Sequence, residues 1–190
     1  MKKIMFNDRF GLTQAVLDGR KTMTRRIVQI DERPCKEKSC IYCSHYNREF
    51  GCKWINDRAL YKFGEVVAVA QSYENAINLL DWVNRLIYKD EPGWTNKMFV
   101  KAECMPHRIR ITGIKAERLQ DISDEDCLRE GIVKTDCVAR YGFPAENGKW
   151  KNYRTPQDAF AALINKVSGK GTWERNPWVF AYELELITRY

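Results

Sequence analysis

Gly19-Arg20-Lys21-Thr22-Met23-Thr24-Arg25-Arg26 sets four cations and two hydroxyls in eight residues, with no acid among them. An amphipathic pattern precedes it. Phe10, Leu12, Ala15, Val16 and Leu17 form one stripe of a helix over about 9–18, with Asn7 or Asp8 as its cap. Gly19 suits the left-handed position that follows a helix C-terminus. The apolar Ile27-Val28-Gln29-Ile30 comes next and reads as a strand, so the basic block is expected to be a turn between helix and sheet. Clustered cations repel one another, and an anion or electron-rich ligand among them relieves that repulsion. The plainer reading is a solvated basic turn.

Beyond the block, strand signals dominate. Ile4-Met5-Phe6 is a short strand, and Val66-Val67-Ala68-Val69-Ala70 is apolar enough to be buried on both faces. Further strands are expected over Met98–Ala102, Arg108–Leu119 and Val179–Ile187. A helical stripe over about 74–88 ends at Pro92-Gly93 and is expected to lie on the core. Ser123 caps a short helix over Asp124–Glu130 by the capping-box pattern, and Gly131 ends it. Glu130 then sits where the helix dipole disfavours an anion, so it is either exposed or held by a distant cation. Residues 133–154 read as a long polar loop with interspersed aromatics. Thr155-Pro156 starts another helix, which Gly169 ends. His107 reads as a polar loop residue, and Trp178 as a core indole at the head of the last strand. The order suits an α+β chain: a small mixed β-barrel with peripheral helices.

The 190 residues suit one domain with insertions at about 31–57 and 74–97. The charge is +7, from 32 Lys+Arg against 25 Asp+Glu, and mildly favours a polyanionic partner. No apolar run reaches the roughly 18 residues that a membrane span needs. Met1–Asp8 lacks the apolar core of a signal peptide, so a cytoplasmic chain with reduced thiols is expected. Four of the seven cysteines, Cys35, Cys40, Cys43 and Cys52, lie in the first insertion with the spacing C-x4-C-x2-C-x8-C. Structural zinc held by these thiolates is the expected cofactor, with His45 as an alternative ligand. Four unconnected reduced thiols are the plainer reading.

Several blocks together resemble the ASCH domain, a PUA-like β-barrel family, in the longer branch common in phages and prophages. They are Gly19–Arg26, Tyr61–Tyr73, Met105–Ile111, Glu117–Ser123 followed by Glu130-Gly131-Ile132, and Asn176–Val179. The two insertions match less well. Where this branch usually shows an Arg-Glu pair after the buried strand, the chain has Ala70-Gln71. The resemblance implies binding of RNA or nucleosides in a cleft beside the barrel. Some small members hydrolyse the amide of N4-acetylcytidine with a lysine, a threonine and a glutamate, which fall by motif on Lys21, Thr24 and Glu130.

Three functions follow as expectations. The first is RNA or nucleoside binding through a basic cleft, with Arg20, Lys21, Arg25 and Arg26 on phosphate and Trp173 stacking on a base. The second is an amidohydrolase of acylated cytidine-like nucleosides, with Lys21 as nucleophile, Glu130 as base or proton shuttle and Thr24 orienting substrate. The third is a zinc-stabilised protein-interaction module docking through the cysteine segment.

Overall fold

A computed structural model describes residues 1–28, 53–77, 81–135, 140–144 and 149–187. The fold is α+β, with two sheets. The larger has the order β1 (Lys3–Ile4), β3 (Val66–Val69), β4 (Arg108–Arg118), β8 (Trp178–Ile187), β2 (Met23–Ile27). Only β1 and β3 run parallel; the other neighbours are antiparallel. In place of a closed ring, the described strands form an open sheet ending at β1 and β2. A register shift between Ile111 and Gly113 bends the long β4–β8 pair. Arg26 of β2 reaches across to donate to Met5 O at 2.7 Å, just after β1. The rolled sheet is thus tied edge to edge by a side chain instead of a ladder.

Several elements differ from the sequence reading. The strand predicted after the basic block begins within it, at Met23, because β2 pairs from Met23↔Glu183 to Ile27↔Val179. Gly11 (φ +64°) splits the first helix into a 3-10 turn, Asp8–Phe10, and α1, Leu12–Leu17. A helix, α2, spans Lys53–Arg58. The helical insertion forms α3 (Tyr73–Ala76) and α4 (Trp82–Tyr88). It lies on a second core cluster, of Ala68, Ala70, Val100, Ala102 and Met105, through Tyr73, Ala76, Tyr88 and Trp94 and not through the predicted stripe: Val83, Leu86 and Ile87 are exposed, as is Trp82, and the Tyr88 ring is 4.5 Å from that of Tyr73. Met98–Ala102 forms parts of two 3-10 turns, not a strand.

The largest difference is at 133–154, where three antiparallel strands replace the expected loop: β5 (Val133–Thr135), β6 (Arg140–Pro144) and β7 (Trp150–Tyr153). Phe143 organises them. It is fully buried, meets Phe10 edge-on at 5.8 Å and stacks on Tyr153 at 6.0 Å. Helix α5 (Asp124–Arg129) precedes this sheet, and α6 (Pro156–Val167) and α7 (Thr172–Arg175) follow it. Ala159, Phe160, Leu163 and Ile164 of α6 complete the core that Ile109, Ile111, Ile114 and Tyr182 form on the large sheet. Thr155 caps α6 through Asp158 N–H, with Pro156 in the first turn, as the sequence indicates.

Replacing Phe143 by Ala should cost about 3–5 kcal/mol in urea unfolding, the range for deleting a buried Phe. A loss below about 1 kcal/mol, the size of a surface substitution, would mean that residues 133–154 do not pack on the core.

Candidate ligand cleft and its buried ion network

Gly19 (φ +71°) reverses the chain after α1, so that Lys21 N–H donates to Ala15 O at 2.8 Å. Thr22 is fixed next, donating to Arg129 O (2.9 Å) and accepting from Leu184 N–H (2.8 Å). The block is thereby stitched to the end of α5 and to β8. On the other side, Ser123 Oγ caps α5 through Asp126 N–H, and Gly131 ends the helix at φ +105°. A Cβ at Gly131 would stand 3.2 Å from Leu12 Cδ2 and 3.7 Å from Lys21 Cδ. Glycine there satisfies the left-handed turn and admits the Lys21 stem alongside it.

These anchors bring Lys21 and Glu130 together across 109 positions of chain. Lys21 Nζ donates to Glu130 Oε2 at 2.6 Å and to Glu130 O at 2.7 Å. Arg25 Nη1 donates to the other carboxylate oxygen at 3.1 Å and to Met23 Sδ at 3.1 Å. Its remaining donors reach Glu117 (2.6 Å) and Asp126 (2.8 Å). Lys115 bridges Glu117 and Asp126, each at 3.0 Å, and Arg129 links Asp126 to Glu183. Four cations and four carboxylates thus alternate through the network, and both side chains of the Lys21–Glu130 pair are buried.

Burial governs the electrostatics. Desolvation is the largest influence on Lys21 and pulls its ammonium below the ordinary lysine value. Glu130 opposes it, while Arg26 and Arg25 push the same way as burial. Burial also acts to lower Arg25, but Glu130, Glu117 and Asp126 outweigh it and hold the guanidinium above its ordinary value. For Asp126, burial raises, but hydrogen bonds and charge from Lys115 and Arg25 win, so the carboxyl lies below 3.8. Burial lifts the nearby Cys127 thiol to about 12, which makes it an inert packing group.

Lys21 and Glu130 lie at the inner end of a cleft of about 430 Å3, which Thr24, Arg25 and Arg26 also line. That volume is within the usual range for small-molecule sites, about 300–1,000 Å3. The rest of the wall is largely apolar: Met5, Phe6, Leu12 and Ile27 on one side, Phe160, Leu163, Ile164 and Val167 of α6 on the other. Asn7 adds an amide whose oxygen already accepts from Arg9 N–H at 3.0 Å.

The structure therefore gathers Lys21, Thr24, Arg25, Arg26 and Glu130 and leaves two expected residues out. Arg20 is exposed and pairs with Asp18 at 2.9 Å, away from the cleft lining. Trp173 lines a different cavity and meets Phe160 edge-on at 6.1 Å. Arg25 does line the cleft, but its donors are taken by carboxylates and Met23. It braces the site and does not grip phosphate. Glu117 and Asp126 were not expected here. The capping-box pattern at Ser123 accounts for an acid at Asp126, yet its carboxylate turns to Arg25 and Lys115. Phe6, Asn7 and the α6 wall carried only the signal of being apolar or capping.

Ala70 and Gln71 lie off the cleft, buried, with Gln71 Oε1 2.8 Å from His107 Nδ1. Cys35, Cys40, Cys43 and Cys52, with His45, lie outside the described residues, and so does the zinc expectation. Trp178 is only partly buried, with the Arg118 guanidinium 4.7 Å from its ring. No family model, no curated protein and no solved structure matches the chain.

Arg25→Ala should lower unfolding stability by about 3–5 kcal/mol, because it removes the buried guanidinium shared by Asp126, Glu130 and the partly buried Glu117. Arg20→Ala should leave the midpoint unchanged. The pH dependence has a definite sign. Asp126 is held below 3.8, so its contribution is present above that value and drains away as pH falls through its lower folded value. Unfolding followed from pH 5 to pH 2 should show a steeper loss for the parent chain than for Asp126→Asn.

Proposed function

We propose that the chain binds a nucleoside carrying an acylated exocyclic amine in the Lys21 cleft and hydrolyses that amide. The observation carrying this reading is the buried Lys21–Glu130 pair, 2.6 Å apart, at the inner end of a largely apolar cleft beside Thr24. A perturbed cation paired with a carboxylate inside a pocket is the usual dress of an acid–base site. The resemblance to the ASCH domain assigns the same three residues. The departure at Ala70-Gln71 falls away from the cleft and takes nothing from it.

Direct attack by Lys21 would leave the acyl group on a lysine amide, a bond as stable as the one broken. Water attack avoids this. Glu130 would take the water proton, Lys21 would deliver a proton to the leaving nitrogen, and Thr24 would donate to the carbonyl oxygen. The short Lys21–Glu130 contact would return the proton between turnovers. The apolar walls would hold the base and exclude bulk water.

RNA held by its phosphates on the basic block has less support. Arg20 pairs with Asp18, Lys21 with Glu130, and Arg25 with three carboxylates. Arg26 gives one donor to Met5 O and sits 5.8 Å from the Phe6 ring. Little positive charge is left to face a phosphate.

Incubation with N4-acetylcytidine, read by chromatography, should show deacylation that Lys21→Ala and Glu130→Gln each reduce by about 10²–10⁴-fold. No turnover by folded protein on any of several acylated cytidines would overturn the reading. Because Lys21 must be protonated to act as the acid and its pKa is lowered, the rate should fall on the alkaline side before pH 10.5. A rate still rising through that pH would return Lys21 to the role of nucleophile.

A further inference from the structure

Helix α4 turns an apolar stripe to solvent. Trp82, Val83, Leu86 and Ile87 are 66, 47, 56 and 58% exposed, while Tyr88, on the opposite side, holds the helix to the Tyr73 ring. Side chains four apart align along a helix, so Trp82 and Leu86 form one row and Val83 and Ile87 the next. Together they show on the order of 450 Å2 of apolar surface, the size at which an exposed patch marks an interaction site. A charged row runs beside them: Asp81 at the cap, then Arg85, then Lys89. Asp81 accepts from Asn84 N–H at 3.2 Å, and the Arg85 guanidinium lies 5.3 Å from the Trp94 ring. Trp82, Arg85, Leu86, Lys89 and Trp94 line a recess of about 360 Å3 along this edge.

The order of charge along that row selects the occupant. It runs from acid to cation, so a copy of the same helix laid antiparallel sets its Lys89 across from Asp81 and its Asp81 across from Lys89. One two-fold axis makes both pairs at once. The same axis brings the two Leu86 side chains together and lays the apolar rows over one another. Arg85, midway along the row, is kept on its own copy by Trp94. The recess at the Lys89 end then has room for the Trp82 ring of the second copy. A membrane is a poorer match. Residues 73–104 hold four cations against five acids in a chain of net charge +7, whereas helices that lie on anionic lipid are rich in lysine and arginine.

We propose that two copies of the chain associate through α4, packed antiparallel about a two-fold axis near Leu86. With Trp94 and the stems of Arg85 and Lys89, each copy contributes on the order of 600 Å2, the low end for a specific interface. The dimer is therefore reversible, and its population follows protein concentration. Other elements line the Lys21 cleft, so the association stands apart from the hydrolase reading and survives its failure.

The test is sedimentation velocity of the full chain from about 5 to 500 µM, in reducing buffer so that the exposed Cys104 does not cross-link copies. The mass should rise with concentration from 22.4 kDa towards twice that value. Leu86→Lys sets two cations at the axis and should raise the dissociation constant at least about tenfold. Lys89→Glu and Asp81→Asn should each raise it about three- to tenfold, and asparagine keeps the helix cap. Leu86 and Lys89 are exposed, so their variants should keep the parent circular dichroism and leave any deacylation of N4-acetylcytidine unchanged. If Leu86→Lys loses its fold, Ile87→Lys gives the same reading from the next row. A chain that stays at 22.4 kDa throughout overturns the proposal. So does a dimer that folded Leu86→Lys leaves intact, or one indifferent to both charge variants. Capture by phosphatidylserine vesicles that depends on Leu86, with no dimer in solution, assigns the stripe to a membrane and overturns it as well.

Discussion

The Arg25 guanidinium is the point on which three elements are registered. It belongs to β2, yet its partners come from β4 through Glu117 and from the end of α5 through Asp126 and Glu130. Buried carboxylates are tolerated only when opposite charge and hydrogen bonds replace lost water, and one planar fork supplies both to three acids. Lys21 depends on this arrangement. Glu130 gives one oxygen to Arg25 and the other to Lys21, so the carboxylate plane that meets the lysine is set by the arginine. An acid at the C-terminal end of α5 would ordinarily be disfavoured by the helix dipole. Here two cations, Arg25 of β2 and Lys21 of the turn before it, reverse that balance and hold Glu130 inside.

Chemistry and scaffold divide between different parts of the cleft. The charged end is rigid because each of its members has partners elsewhere in the network. The apolar walls come from segments remote in sequence, Met5–Phe6 and the Phe160–Val167 face of α6. Changes in α6 can therefore reshape the wall without touching the ion network. The exposed apolar residues of α4 belong to neither the cleft nor the core.

How much of this could be read in the sequence depended on whether the cause was local. Gly19, Ser123, Gly131 and Thr155-Pro156 punctuate helices by rules that act over a few residues, and each holds. Strands β3, β4 and β8 were legible as apolar runs. Glu130 was conspicuous because its position was electrostatically wrong for an exposed acid. What was missed has its cause far away along the chain. The strand character of Met23–Ile27 comes from pairing with β8, and nothing in a run of threonine and arginine announces it. The sheet at 133–154 is organised by Phe143 against Phe10, a contact invisible to any local window. The basic block looked like a phosphate site since its neutralising acids lie about a hundred residues downstream.

The sheet order also carries a consequence in time. Strand β8 lies between β4 and β2, and β2 has β8 as its only strand partner in the described sheet. During synthesis, β2 leaves the ribosome more than 150 positions ahead of the residues it must pair with, Val179 to Glu183. Until then β2 has no ladder to join, and Arg25 has no fixed strand from which to gather its carboxylates. Contacts spanning so much chain are slow to close. The charged end of the cleft therefore cannot assemble before β8 is made, and a nascent or truncated chain lacking β8 has no site, its six-residue helices α1 and α5 being too short to persist alone.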